Sequence, residues 1–365
     1  MLLDRFTEGG GGAEVFTIGL ADTLPRERFD VRVCAVREAR GFALDLLEQA
    51  GIPLVVLGRR GRELGPFREL YRYLREERID VLHTHLFGSN VWGTVVGRLA
   101  RVPVIVAHEH TWSYEGQPLR KFLDGQLIGR FASRFVAVSE ADRKRMIELE
   151  HVRPEKTAVI PAALVPRERQ DSHDARAEFG IPAGAPVVGT VVSMRAQKAL
   201  DVLIDAFVEV LGSLPDAHLM LVGDGERRME LERHTRRRGV TERVHFTGDR
   251  PDVPNLIAAF DVSALSSDFE GTPLFVFESM HEGKPVVATS VGGLREVIDD
   301  GASGVLVPPQ DPRALADALE GLLRDPARRE RIAAAGRERV RDFTIERAAG
   351  RFADLYDQLL RAKEG

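Results

Sequence analysis

Residues 267–298 read SDFEGTPLFVFESMHEGKPVVATSVGGLREVI, and this stretch decides the fold. The apolar run before it, Val262 to Leu265, has strand character and breaks at Phe269-Glu270-Gly271-Thr272-Pro273. Leu274 to His281 then reads as a short apolar helix, with Thr272 as its expected cap and Pro273 at the first helical position. A second strand, Pro285 to Thr289, runs into a turn at Gly292-Gly293. Strand, turn, helix, strand, turn, helix is a βαβα unit of a parallel sheet. Ligands of such sheets bind at the carboxyl ends of the strands, where helices begin. Both turns therefore lie on a binding edge and offer backbone N–H groups to an anion.

Glu270 and Glu278 stand eight residues apart across the first turn. A carboxylate can hydrogen-bond two neighbouring hydroxyls of a ribose or hexose. A helix start and a Gly-Gly turn can meet phosphate oxygens. Together they suit a nucleoside diphosphate carrying a sugar. The plain alternative, a turn acid and a solvated helix residue, is the better reading of a glutamate pair alone. The neighbours change that. Glu270, Gly271, Pro273, Glu278, Met280, Gly283, Pro285 to Thr289, Gly292 and Gly293 follow in an order that resembles the E-x7-E signature of family 4. Ser279 and His281 replace two usual alanines. Family 4 comprises retaining nucleotide-sugar glycosyltransferases of GT-B fold, group 1. The resemblance implies that Glu270 contacts the donor sugar and Glu278 the ribose, with Gly271, Thr272, Pro273 and Leu274 beside the donor.

A length of 365 residues is ample for two domains. The net charge of −5 gives no general reason to expect nucleic-acid binding. The single cysteine, Cys34, lies in an apolar strand pattern and cannot form an internal disulfide, which fits a reducing cytoplasm. No apolar run reaches the ~18 residues of a spanning helix, and no signal peptide is evident. The expected location is cytoplasmic, with a peripheral position at the inner face of a membrane as its extension. The first strand is a stub, shorter than the resembled family carries.

The first half alternates short apolar runs with helical patterns. Val31 to Val36, Pro53 to Leu57, Val81 to Thr84, Pro103 to Ala107, Phe135 to Ser139 and Thr157 to Ile160 read as strands of a parallel sheet. The glycine run at Gly9 to Gly12 precedes the helix Val15 to Leu24 and permits close phosphate approach. A flexible turn is the even alternative. The resemblance to the family's G-G-A-E places Gly11 and Gly12 near the donor phosphate and Gly10 on the acceptor side. Arg68 to Arg78 reads as a helix with Phe67, Leu70, Tyr71 and Leu74 inward and Arg68, Arg72 and Arg75 outward. A solvated outer face is the stronger reading; contact with anionic lipid is the sharper one. His83-Thr84-His85 and His108-Glu109-His110 raise metal binding, but an H-x-H pair on an extended chain supplies no third ligand by itself. The expectation is no metal. By resemblance, His110 lies near the reacting sugar and His85 in the acceptor pocket. Ser139 reads as a helix cap.

A boundary is expected between Pro161 and Asp174. The domains are 1–165 on the acceptor side, 166–342 for the nucleotide sugar, and a helix 343–365 that by resemblance crosses back to the first. The second domain opens with the strand Pro186 to Met194, then Arg195-Ala196-Gln197-Lys198 and a helix Leu200 to Leu214. Cations at a strand end stabilise a leaving diphosphate. Lys198 matches the lysine of the family's G-R-x-x-x-x-K-G. Ser193 stands at its arginine and Ala199 at its last glycine, and Arg195 is taken to supply the guanidinium. Leu219 to Val222, Arg243 to Phe246 and Gly304 to Val307 read as strands. The resemblance sets Gly223, Gly225 and Arg250 around the nucleotide. Ala314 to Val340 carries helical patterns, and Thr344 to Leu360 reads as an amphipathic helix.

The expected fold is α/β, GT-B, with two Rossmann-like doubly wound domains facing a cleft. The expected activity is retaining transfer of a hexosyl-type sugar from a nucleoside diphosphate sugar to a hydroxyl acceptor. UDP-sugar comes first as donor and GDP-mannose next. The acceptor classes are a lipid-linked sugar, a polysaccharide end and a small molecule, as in glycolipid, exopolysaccharide or cell-envelope glycan synthesis. No cofactor is expected, and no D-x-D motif stands beside a strand end. A nucleotide-sugar 2-epimerase of the same fold, an impaired nucleotide-sugar-binding protein and a plain interaction module are the rivals.

Overall fold

The computed structural model describes residues 1–7, 11–58, 65–110, 117–169 and 174–364. The contact pattern divides the chain into two compact units, Met1–Val165 with Thr344–Gly365, and Pro166–Phe343.

Unit 1 holds β1 (Leu2–Phe6), β2 (Val33–Ala39), β3 (Leu54–Val56), β4 (Val81–His85), β5 (Val104–His108), β6 (Arg134–Ala137) and β7 (Thr157–Val159). They form one sheet in the order β3-β2-β1-β4-β5-β6-β7. Unit 2 holds β8 (Val187–Val191), β9 (His218–Val222), β10 (Val244–Gly248), β11 (Val262–Leu265), β12 (Val286–Thr289) and β13 (Val305–Val307), in the order β10-β9-β8-β11-β12-β13. Every pairing is parallel. Each sheet is Rossmann-like and doubly wound, its strand order reversing at β1/β4 and at β8/β11.

The strand sequences explain the covering. β5 and β9 are buried at every residue, as parallel strands with helices on both faces must be. In unit 2, Leu203 and Phe207 of the helix Leu200–Ser213 join Leu219, Leu221, Val262 and Leu319 in one core. Burying a side chain such as Phe207 stabilises by roughly 1.5–3 kcal/mol. In unit 1, Leu82, Ile105, Phe135 and Met146 anchor the main core. The helix Ile345–Glu364 belongs to this unit and sets Phe352 against His83, His108 and Phe16.

Several boundaries differ from expectation for local reasons. The helix Leu274–His281 starts after Pro273, which is itself the N-cap residue in an extended conformation (ψ 128°), so Thr272 is not the cap and Pro273 not the first helical residue. The expected helical stretch Ala314 to Val340 is two helices, Pro312–Leu323 and Pro326–Val340, because each proline starts a helix and cannot continue one. In the helix Gly65–Glu76, Phe67, Leu70 and Leu74 are buried but Tyr71 is exposed, which narrows the apolar stripe. Ser139 caps the helix Glu140–Glu150, accepting from the Asp142 N–H at 3.0 Å. Cys34 is buried in β2, and burial pushes its thiol up to about 12.

Candidate active site

Lys198 follows β8 and Glu270 follows β11, the two strands at which the unit 2 sheet reverses. Each strand thus brings one charge to the same edge. Lys198 Nζ donates to Glu270 Oε1 at 2.5 Å, and Ser267 Oγ donates to the same oxygen at 2.6 Å. Glu270 is only 4% exposed. A lone carboxylate at that depth is costly, so the lysine is what makes its burial tolerable. Oε2 has no hydrogen bond among the described residues. It is therefore the oxygen available to a ligand hydroxyl.

The Gly292-Gly293 turn backs this carboxylate. Gly292 takes φ +47°, and a Cβ there would lie 1.9 Å from the Glu270 carbonyl oxygen. Only glycine permits that approach. Gly293 N–H donates to the same carbonyl at 3.3 Å. The turn fixes the glutamate backbone, and the Gly293 N–H expected to face a phosphate is already used. Gly271 and Thr272 are buried beside Glu270, while Pro273 is partly exposed ahead of the buried Leu274.

Glu278 lies on the flank of its helix with its side chain 14% exposed. Its Oε1 accepts from the Arg167 guanidinium. Arg195 is exposed, and its guanidinium has no partner among the described residues. It sits one short 3-10 turn, Ala196–Lys198, ahead of the lysine. Gly223 and Gly225 belong to a loop knitted to its neighbours. Gly223 N–H donates to Gly248 O at 2.9 Å and Met194 N–H to Asp224 O at 2.8 Å. A Cβ on Gly223 would meet Val192 O at 2.2 Å. Glycine there lets the loops after β8 and β9 lie against each other. Arg250, expected as a base-edge neighbour, is held between two carboxylates. Its guanidinium donates to Glu178 at 2.6 and 3.0 Å and to Asp252 at 2.8 and 2.9 Å. Asp252 and then Glu178 push its pKa further up.

In unit 1 the matching edge is made of imidazoles. His85 of β4 pairs in register with His108 of β5. His83, His85, His108 and His110 cluster, with tilted rings whose centroids lie 4.1 Å apart for His83–His85 and 4.2 Å for His108–His110. His85 Nδ1 and His110 Nε2 share a hydrogen bond of 3.0 Å. Tyr356 OH and His83 Nδ1 share another of 2.6 Å. Burial pushes all four pKa values down, His110 to about 3, so the cluster is neutral at pH 7. Two expectations change here. The H-x-H pair does gain a third nitrogen, because His108 on the next strand brings the donors of His83, His85 and His108 within 4.8 Å of one another. His85, expected in the acceptor pocket, has no exposed surface of its own and meets the partly exposed His110 through Nδ1. Gly11 precedes and Gly12 begins the helix Gly12–Thr23 after β1, and Gly10 lies outside the described residues.

The comparisons with known proteins follow this geometry. Residues 185–325 match the model of glycosyl transferases group 1, and residues 10–165 that of glycosyltransferase family 4. The chain thus carries a glycosyltransferase family 4 domain followed by a glycosyl transferases group 1 domain, and it is a glycosyltransferase by both. A D-inositol 3-phosphate glycosyltransferase of Corynebacterium diphtheriae is 28% identical, over 95% of this chain and 89% of its own. An alpha-D-kanosaminyltransferase of Streptomyces kanamyceticus is 27% identical over 78% of this chain and 79% of its own. Among solved structures, HepE of Anabaena in complex with UDP-glucose is 27% identical, covers 98% of this chain and 99% of its own, and superposes with a TM-score of 0.86.

Two residues of this glycosyltransferase escaped the sequence reading. Glu14 is buried, and its carboxylate accepts from Thr7 N–H at 2.8 Å and Thr7 Oγ1 at 3.1 Å. Burial raises its pKa. Its place in G-G-A-E, just past β1 at the unit 1 reversal, was the available signal. Arg167, which holds Glu278, had none: it stands in a charged segment with no period. Among the described residues, no helix of the glycosyltransferase is long and apolar enough to cross a membrane.

Proposed function

We propose that this glycosyltransferase moves a sugar from a UDP-sugar to a hydroxyl acceptor with retention at the anomeric carbon and without a metal. The observation that carries the reading is the buried Glu270, paired with Lys198 at the reversal of the unit 2 sheet. The E-x7-E resemblance and the UDP-glucose complex of HepE support it.

Glu270 Oε2 accepts a hydroxyl of the donor sugar, and Glu278 accepts the ribose hydroxyls. Lys198, with Arg195 beside it, meets the diphosphate. The bond from the anomeric carbon to the β-phosphate oxygen breaks, and its electron pair stays on the phosphate. The acceptor oxygen bonds to the same carbon on the same face, and its proton passes to the leaving phosphate oxygen. The products are UDP and the glycoside. Charge grows on the diphosphate in the transition state, where a fixed cation counts most. This takes the place of a metal ion. His110, neutral and oriented by His85, is assigned by resemblance to the transferred sugar. The inositol phosphate and kanosaminyl names of the relatives favour a small hydroxylated acceptor over a polymer end.

The test begins with thermal shifts in UDP, GDP and ADP, since a ligand of the native state raises the melting temperature. UDP alone should shift it. Incubation with UDP-glucose and a panel of polyols, with excess EDTA present, should then release UDP. The anomeric proton coupling of the product should match that of the donor. An inverted product, or a reaction abolished by EDTA and restored by a divalent ion, would remove the retaining or the metal-free part.

A further inference from the structure

Unit 1 carries a polar pocket on the edge of its sheet opposite the histidine cluster. Ser133 and Lys156 line it, and each immediately precedes a strand, β6 or β7. His85 and His108 end theirs. A five-residue strand spans roughly 16 Å, so the pocket is well removed from the histidine edge.

The cavity is about 350 Å³ and is walled by Arg98, Arg130, Lys156 and Lys363, with Phe131 and Leu359 as its apolar side. Among the described residues, no acidic side chain lines it. Among the described residues, Arg98, Arg130 and Lys363 form no ion pair. Lys156 is held in place by donating to Ala132 O at 2.8 Å, which leaves its other N–H groups for the cavity. Burial, then Arg153, Lys363, Arg134 and Arg98 push its pKa down, which registers the crowding of positive charge. The cations come from four separate elements: two helices, the segment before β7 and the end of the helix Ile345–Glu364. Their convergence is a property of the fold and not of one charged run.

We propose that this pocket binds a phosphate-bearing group. Guanidinium groups match phosphate geometry, and a cavity of this size admits a phosphorylated polyol or a lipid headgroup. The apolar side accommodates the carbon part. The inference is independent of the donor site in unit 2.

The test compares two probes on the full chain: glycerol 3-phosphate by titration calorimetry, and flotation with phosphatidylglycerol vesicles against phosphatidylcholine ones. Wild type should bind at least one probe, and the double variant R98Q/R130Q should bind it at least tenfold more weakly. R98K/R130K should recover only part of the affinity, since it restores the charge without the guanidinium fork, and the melting temperature of both variants should match wild type because these side chains are exposed. Binding of the free ester marks a soluble ligand; binding of anionic vesicles alone marks a headgroup. No binding of either probe, or binding that R98Q/R130Q leaves unchanged while K198A weakens it, overturns the proposal.

Discussion

The two sheets turn at the same kind of reversal but arm it in opposite ways. Unit 2 places a buried ion pair there, Lys198 with Glu270, and a second pair on the helix that follows, Arg167 with Glu278. Unit 1 places four imidazoles there, all neutral at pH 7. The difference follows the chemistry each edge is proposed to meet. A diphosphate demands fixed charge. An uncharged hydroxyl and a transferred sugar are better met by neutral donors and acceptors, which repel no cation. Fixed charge and buried neutral base also respond differently to perturbation, which makes the contrast testable.

Acid should break the contrast most strongly. The four histidines titrate in the folded state below the ~6.5 of a free imidazole, so the unfolded chain binds more protons beneath that pH. Stability is therefore full above about pH 6.5 and falls as the pH drops toward the folded values. Each fully buried histidine costs about 1.4 kcal/mol per pH unit in that window. Among the described residues of unit 2, two histidines are depressed, His218 and the His245 pushed down to about 4, against four in unit 1. Unit 1 should unfold first, at about pH 5. Both tryptophans, Trp92 and Trp112, fall in the unit 1 sequence, so fluorescence reports that unit alone. A fluorescence midpoint equal to that of far-ultraviolet dichroism would show that the units do not separate.

Lys198→Ala attacks the other side. It removes the proposed cation at the diphosphate and strands Glu270. Turnover should fall roughly 10²- to 10³-fold, the range for loss of one transition-state stabiliser. Stability should fall by about 3 kcal/mol, since a buried carboxylate loses its partner. Glu270→Gln in the same chain should recover stability but not turnover. Steady-state kinetics and thermal melts on wild type and the two variants decide this; recovered turnover would make the pair structural only.

Smaller effects belong to the second pair. Glu278→Ala should weaken donor binding by about tenfold, the value of one hydrogen-bonded charge, with turnover at saturation nearly unchanged. Arg167→Ala should change the same dissociation constant by about threefold, because the carboxylate remains but is less well oriented. Calorimetric titration with UDP and UDP-glucose reads both. Unaltered affinity in Glu278→Ala would remove its ribose role.

The strands and helices of this protein were largely legible because their signal is local. Val262–Leu265 and Leu274–His281 carry it in apolar runs bounded by turn residues, and the structure puts both where the sequence does. What the sequence concealed was set by register and by distant partners. His108 joins the H-x-H pair only because β4 and β5 align His85 with it. Arg250 is taken by Glu178, 72 residues away, and no pattern near Arg250 announces that. The close approach of the Glu270 carbonyl to Gly292 was equally hidden, because it lies across the turn and not along the chain.

The smallest expected effect concerns a departure from the resembled motif. Ala199 stands where that motif has glycine, which invites the expectation of a displaced Lys198. The backbone is not displaced into an ordinary conformation: Ala199 adopts φ 44°, ψ 46° in the left-handed region. That conformation costs a residue with a Cβ roughly 1–2 kcal/mol. The helix Leu200–Ser213 starts immediately after it, with Leu200, Leu203 and Phe207 buried, so the packing enforces the conformation. Ala199→Gly should therefore relieve strain while adding unfolded-state entropy and giving up a buried methyl. These terms nearly cancel, and the expected gain is about 0.5 kcal/mol, read as a rise of ~1–2 °C in melting temperature. Donor affinity and turnover should stay within twofold of wild type, since Lys198 already lies against Glu270. A tenfold gain in turnover would instead show that the alanine holds the lysine away from its working position, and the ion pair would then be a resting arrangement distinct from the catalytic one.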